Sequence, residues 1–314
     1  MLTNLSIKKS IRGGIGEELA ALGITHPDLV VLDADLSGST KTSVFAKKFP
    51  DRFFNVGIAE QNLMTTALGL SLTGKIPFVA TFAIFATGRT YDQIRNSICY
   101  QNGNVKIIGA HGGLTVGEDG ASHQALEDVA LMRQIPNMIV IEPSDYIQAA
   151  QAVRFAIDHN GPVYIRSSRV DVPCVFDEQD NFDITKGILI QEGKDISIFA
   201  TGDILSEAVV AAQNLTSMGI NAELINIPMI KPLDTECIIK SVKKTKLAVT
   251  IENHSIIGGL GSAVAEFLSE NLPTKLLRIG TNDQFGQSGT PKELLKNYKL
   301  DAESIVNTIV ELNK

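Results

Sequence analysis

The chain has 314 residues, of which 44% are hydrophobic and 20% charged, and a formal net charge of −7 at pH 7. That is enough chain for about two domains with sizeable cores, and the acidic balance argues against general binding of nucleic acid or an anionic membrane surface. Cys99, Cys174 and Cys237 are spaced for neither a zinc site nor a disulfide framework, the MLTNLSIKKSIRGG start lacks the apolar core of a signal peptide, and no apolar run is long enough to span a membrane, so a cytoplasmic protein is expected.

Short β-branched runs alternate with helical patterns, which reads as an α/β fold with mainly parallel strands. In the first half, strands are expected at Leu29–Asp33, Phe78–Thr81, Val105–Gly109, Met138–Ile141 and Val163–Arg166. Between them, Leu63, Ala67 and Leu70 fall on one helical face, as do Leu126, Val129 and Ala130. From Val170 to Gly187 the pattern lapses into VDVPCVFDEQDNFDITKG, a Pro- and Asp-containing stretch. A second α/β series follows, with strands near Ile196–Ala200, Ala222–Ile225, Ala248–Ile251 and Lys275–Arg278. The expected organisation is one domain over residues 1–175, a linker over 176–190 and a second domain over 191–314. Ligands collect at the carboxyl ends of strands in such sheets. The segments Asp33–Thr40, Phe82–Arg89, His111–His123 and Ser167–Arg169 would sit there.

The stretch from Phe54 to Thr87 is the most informative. It places Glu60 at the start of an apolar helix and Phe82 and Phe85 just past an apolar strand. A carboxylate beside a flat aromatic slot suits the aminopyrimidine ring of thiamine diphosphate. The other half of that cofactor's requirement, a Gly-Asp-Gly segment followed by an Asn to hold Mg²⁺ and the diphosphate, does not occur in the sequence. The chain therefore reads as one subunit of a two-chain enzyme.

The segments DADLSGST, FFNVGIAEQN, PFVATFAIFATGRTYDQIR, GEDGASHQALEDVALMRQIPNMIVIEPSD and GPVYIRSSR together resemble the C-terminal portion of transketolases. That portion comprises a pyrimidine-binding domain followed by a smaller C-terminal domain, each a three-layer α/β unit. The resemblance implies that Glu60 hydrogen-bonds the cofactor's N1′ and supports its imino tautomer. It implies that Phe82 and Phe85 flank the aminopyrimidine, and that Asp35 lies near the cofactor at the subunit junction. Where many transketolases carry a tyrosine three residues after Phe85, this chain has Gly88, leaving that wall thinner or completed by Arg89 or another group.

In the loop HGGLTVGEDGASHQ, the resemblance assigns Asp119 and His123 to the sugar's hydroxyl and carbonyl oxygens. A histidine suits removal of a hydroxyl proton near neutral pH. Arg12, Ser39, His111 and Arg169 match a set that holds a sugar phosphate, for which arginine's planar fork and a hydroxyl are apt. The implied activity is transfer of a two-carbon ketol unit from a ketose phosphate to an aldose. The implied partner is a transketolase N-terminal subunit in an α2β2 assembly, which would also hold Mg²⁺ or Ca²⁺.

Rival readings are a specialised sugar-pathway ketolase, a 1-deoxyxylulose-5-phosphate synthase-like enzyme, the β subunit of a 2-oxoacid dehydrogenase, and a non-enzymatic module that lost its partner. GEDGASHQALED and YIRSSR favour transketolase over the dehydrogenase. Two weaker signals are read as structural. Gly259 and Gly261 in IIGGLGSAVAEF resemble a fragment of a dinucleotide fingerprint but lack its context. His254 in IENHS reads as a satisfied or interfacial histidine.

Overall fold

The computed structural model describes residues 5–177, 179–180 and 182–312. The first half of the chain contributes β1 (Lys8–Ser10), β2 (Leu29–Asp33), β3 (Phe53–Asn55), β4 (Ile76–Phe82), β5 (Lys106–Ala110), β6 (Ile139–Ile141), β7 (Val163–Arg166) and β8 (Asp171–Pro173). The second half contributes β9 (Ile188–Gln191), β10 (Ile196–Ala200), β11 (Ala222–Asn226), β12 (Met229–Lys231), β13 (Leu247–Ser255) and β14 (Lys275–Thr281).

These strands build a seven-stranded sheet in the order β12-β6-β7-β5-β4-β2-β3 and a five-stranded sheet in the order β14-β13-β10-β11-β9. Both are parallel except at one edge, where β12 runs antiparallel to β6 and β9 antiparallel to β11. Every residue of β2, β5, β10 and β11 is buried. Parallel strands covered by helices on both faces read as continuous apolar runs for this reason. Separate apolar clusters line the two faces of each sheet, so the chain forms two three-layer α/β domains with mainly parallel sheets.

Helix Ile11–Thr25 is capped by the Ser10 hydroxyl, which accepts from the Gly13 amide at 3.2 Å. It packs against helix Tyr146–Asp158 so closely that a Cβ at Gly14 would stand 2.4 Å from the Tyr146 carbonyl oxygen. Helix Glu60–Leu72 covers the opposite face of the first sheet through Leu63, Met64, Ala67 and Leu68. Among the described residues no helix is long and apolar enough to cross a membrane.

One local expectation differs from what the chain does, and two further features were not anticipated. Leu126 precedes its helix, which runs only Asp128–Arg133, and Ala130 is half-buried. Around the segment expected as a linker over 176–190, β8 before it pairs with β1, and β9, which begins within it, joins the second sheet. Val175, the last residue of the expected first domain, and Phe176, the first of the expected linker, are buried in the second domain's core. Finally, β12 leaves the second half of the sequence to pair with β6, an excursion of three residues too short to carry a periodic signal.

Candidate active site

Four strand ends converge on one edge of the first sheet. At the end of β2, Asp33 is buried and organises the following turn. Its Oδ1 accepts from the Leu36 amide at 2.5 Å, and its Oδ2 accepts from the Thr40 and Thr42 hydroxyls at 2.8 and 2.9 Å. This turn puts Asp35 in the left-handed region at φ 65° and exposes its carboxylate, which accepts from Asn55 Nδ2 at 3.0 Å. No hydrogen bond or ion pair among the described residues joins Asp35 to the other candidate residues. Ser39 lies on the same turn, and its carbonyl oxygen accepts from Arg12 Nη1 at 2.7 Å.

The end of β4 delivers the aromatic pair. Phe82 is its last residue, and its ring stacks on that of Phe85 with centroids 6.0 Å apart and 16° between planes. His111, just beyond β5 at φ 59°, stacks on Phe82 at 4.0 Å. His123 presents its edge to Phe85 at 5.5 Å and to Phe82 at 6.2 Å. Glu60, the first residue of its helix, is 3% exposed, and its Oε1 accepts from Arg89 Nη1 at 2.8 Å. The Arg89 guanidinium carbon lies 4.4 Å from the Phe85 ring centroid. Arg89 is thus the group that completes this wall. Gly88 does not, because a Cβ there would meet nothing within 4 Å.

Opposite lies a cationic corner. Arg169, in the turn after β7, donates to the Val116 carbonyl at 2.6 Å and lies 3.4 Å from Asp119 and 3.6 Å from Glu118. Burial and the charge of Arg169 both push the Arg12 pKa down, while Asp171 raises it. Burial first, then Arg12 and Arg169, push His111 down to about 3, so its ring is neutral near pH 7. Arg12 Nε and His111 Nδ1 are buried with no hydrogen-bond partner among the described residues. Two guanidinia around orphaned buried nitrogens form a seat for an anion.

The loop between these groups is held from beneath. Fully buried Arg166 donates from Nε to Asp128 Oδ2 at 2.8 Å and from Nη1 to Glu142 Oε1 at 2.5 Å. Its Nη2 donates to the Ala125 and Asn253 carbonyls at 2.9 and 3.1 Å. Burial alone would raise Asp128, but Arg166 outweighs it and the carboxyl ends below its ordinary value. Glu142 is pushed up to about 7 by burial despite the same arginine. The second domain reaches in through Asn253. Its Oδ1 accepts from the Leu114 amide at 2.9 Å, and its Nδ2 donates to both Asp203 oxygens at 3.1 Å. Gln124 Nε2 ties the same loop to the Gln287 carbonyl at 3.0 Å.

The structure therefore brings Phe82, Phe85, His111 and His123 into one contacting cluster, to which Arg89 bridges Glu60. Arg12 with Ser39, and Arg169 with Asp119, form its rim. Sequence reasoning missed Asp33, Arg166, Asp128, Glu142 and Asn253, all buried polar residues. A charged residue inside the apolar run VYIR was the available signal for Arg166.

The residues present fit the aminopyrimidine of thiamine diphosphate. Arg89, a planar cation, already makes the two contacts that ring needs: a hydrogen bond to Glu60 and a face on Phe85. The anticipated dinucleotide fragment has another use. The amides of Leu260 and Gly261, at the start of their helix, donate to Glu252 at 2.8 Å each, so a carboxylate of the chain fills that helix terminus. His254 is fully buried in β13.

The sequence profile of the transketolase pyrimidine-binding domain matches residues 8–174, and that of the transketolase C-terminal domain matches residues 185–305. The chain belongs to the transketolase family, in its split C-terminal subunit group, whose pyrimidine-binding domain implies thiamine diphosphate as the cofactor. A protein of Methanocaldococcus jannaschii named as a transketolase C-terminal section is 51% identical over 97% of this chain and 96% of its own length. A protein of Clostridium sp. named 6-deoxy-6-sulfo-D-fructose transketolase subunit SqwH is 42% identical over 91% of this chain and 89% of its own. A solved structure described as a split gene transketolase, inactive beta4 tetramer, superposes with a TM-score of 0.90 at 50% identity, covering 96% of this chain and 97% of that one.

Proposed function

We propose that the chain is the C-terminal subunit of a two-chain, thiamine diphosphate-dependent transketolase that moves a two-carbon ketol unit from a ketose phosphate to an aldose or aldose phosphate. The observation that carries this reading is the juxtaposition of buried Glu60 with the Phe85 face. When bound, the cofactor supplies the carbanion-stabilising centre; the chain's residues position it and manage protons. Glu60 accepts a hydrogen bond from N1′. Phe82 and Phe85 flank the aminopyrimidine and exclude water, and Asp35 lines the cofactor's approach at the rim.

His123, edge-on to both rings, takes and returns the proton of the sugar hydroxyl beside the bond that breaks. Asp119 accepts from a neighbouring sugar hydroxyl. Arg12, Arg169, neutral His111 and Ser39 hold the terminal phosphate. A separate N-terminal subunit supplies the diphosphate site with Mg²⁺ or Ca²⁺, in an assembly of two large and two small chains. The relative solved as an inactive β4 tetramer supports dependence on such a partner.

A second reading, a specialised sugar-pathway ketolase, is favoured by one feature. Two arginines and a neutral histidine suit a sulfonate as well as a phosphate, and a relative is named for a sulfo-sugar.

The test is co-expression with the candidate N-terminal subunit, followed by assay of ketol transfer from xylulose 5-phosphate to ribose 5-phosphate with thiamine diphosphate and Mg²⁺. Each chain alone is the control. Activity is expected only in the mixture and lost with Glu60→Gln. Transfer from a sulfo-sugar alone would select the second reading, and condensation of pyruvate would overturn both.

A further inference from the structure

We infer that Arg89 is a built-in competitor for the aminopyrimidine seat, occupying it in the cofactor-free protein and swinging out when thiamine diphosphate binds. The inference rests on the functional reading above. It starts from one side chain making two contacts at once: Nη1 donates to Glu60 Oε1 at 2.8 Å, and the guanidinium carbon sits 4.4 Å from the Phe85 ring centroid. A guanidinium and a 4-aminopyrimidine protonated at N1′ are alike in what they offer here. Both are flat, both carry delocalised positive charge, and both donate N–H to a carboxylate while stacking on a phenyl face.

Glu60 cannot serve both in the same way. Its side chain is 3% exposed, so its bonding sites are limited to groups inside the cleft. Leaving it unpaired there carries the cost of a buried lone charge. The arginine supplies that missing partner. It is also free to leave. Its side chain is 47% exposed, and no side chain stands at Gly88, where a Cβ would meet nothing within 4 Å. The main chain at this point is separately fixed, because the Arg89 carbonyl accepts from Gln61 Nε2 at 3.3 Å. Motion of the side chain therefore need not unwind the segment Phe85–Arg89. The device keeps the buried carboxylate paired while the seat is free and weakens cofactor affinity by the strength of the contact it must surrender.

The experiment is calorimetric titration of thiamine diphosphate, with Mg²⁺, into the co-purified two-chain complex carrying wild-type, Arg89→Gln or Arg89→Lys subunit. Melting curves confirm that each variant complex is folded. Arg89→Gln is expected to lower the Kd about two- to fivefold, the range a half-exposed ion pair is worth. Arg89→Lys keeps the charge but not the planar fork, and is expected to fall between. Unchanged or weaker binding by Arg89→Gln would show that the arginine stays beside the bound ring, overturning the inference while leaving the functional reading intact. If the wild-type complex binds no thiamine diphosphate, the functional reading falls and this inference with it.

Discussion

The ring of His111 lies against the ring of Phe82, with centroids 4.0 Å apart and 27° between planes, while Arg12 and Arg169 press on the same imidazole electrostatically. The consequence is a division of labour in the anion seat. A histidine pushed down to about 3 carries no charge near neutrality, so attraction for a dianion falls to the arginines. Arg169→Ala is expected to raise KM for a phosphorylated donor by roughly 10- to 100-fold, the range of a charge-assisted hydrogen bond. It should also flatten the dependence of KM on ionic strength. His111→Asn should raise KM less and leave the salt dependence unchanged. Steady-state kinetics of the assembled enzyme across a salt series distinguishes the two.

Arg166 anchors a different kind of interaction, one that concerns stability. Its guanidinium donates to one oxygen of each of two buried carboxylates and to two carbonyls. Removing one partner of such a set leaves uncompensated charge in a low-dielectric interior, which typically costs about 3–5 kcal/mol. Arg166→Met is expected to destabilise the chain by that amount and to loosen the loop above it, because a Cβ at Gly112 would already stand 2.6 Å from Arg166 Nε. Urea unfolding followed by circular dichroism measures the first effect. A loss smaller than about 1 kcal/mol would mean that the network contributes little beyond packing.

How much of this was legible beforehand follows a physical line. Leu29–Asp33, Val163–Arg166 and Ile196–Ala200 have the expected bounds, because doubly covered parallel strands write themselves as unbroken β-branched runs. The positions Glu60, Phe82 and Phe85 were singled out through motif resemblance; in the structure Phe82 stacks on Phe85, and Arg89 bridges Phe85 to Glu60. What stayed hidden depends on partners far apart in sequence. Arg166 meets Asn253 across 87 positions, and Gln124 meets Gln287 across 163. No local pattern encodes such pairs. Met229–Lys231 was illegible for another reason: three residues pairing antiparallel with β6 are too few to carry a periodic signal of their own.

Asn253 tests the junction between the domains. Its amide satisfies the Leu114 amide N–H and the Asp203 carboxylate, and all three groups are buried. Asn253→Ala strands a donor and an acceptor, at a cost of about 1–3 kcal/mol for each group left without a partner. The expected local sign is faster amide hydrogen exchange at Leu114 and Thr115, ahead of any change in the sheet cores. Because that loop carries Asp119 and His123, kcat should fall with it. Exchange unchanged at Leu114 would show that the remaining ties, Thr115 to Asp203, Arg169 to Val116 and Gln124 to Gln287, suffice to hold the loop.

Glu252 gives the sharpest pH signature. Burial pushes it up to about 7, with a further upward push from Glu142, although the Gly261 and Leu260 amides and the charge of Arg166 oppose this. Its neighbour His254 is pushed down to about 4, chiefly by burial, so no charged imidazole balances the carboxylate at neutral pH. A carboxyl whose pKa is higher folded than unfolded holds its proton in the folded chain while the unfolded chain has lost it. Stability from this group is therefore fully present below its ordinary value of 4.5 and is lost as pH rises toward about 7. The size of that loss is on the order of 3 kcal/mol. Glu252→Gln keeps the shape without a titrating proton; its carbonyl oxygen can accept from only one of the Leu260 and Gly261 amides, and the loss of the other contact is an offset that does not change with pH. The stability difference, wild type minus variant, should thus be larger near the acid end of this window than near the neutral end, other titrations cancelling between the two chains. Urea unfolding free energies of both proteins at the two ends measure it. A difference that stays constant, or grows with pH, would mean that Glu252 is ionised in the folded chain and that the Leu260 and Gly261 amides prevail over burial.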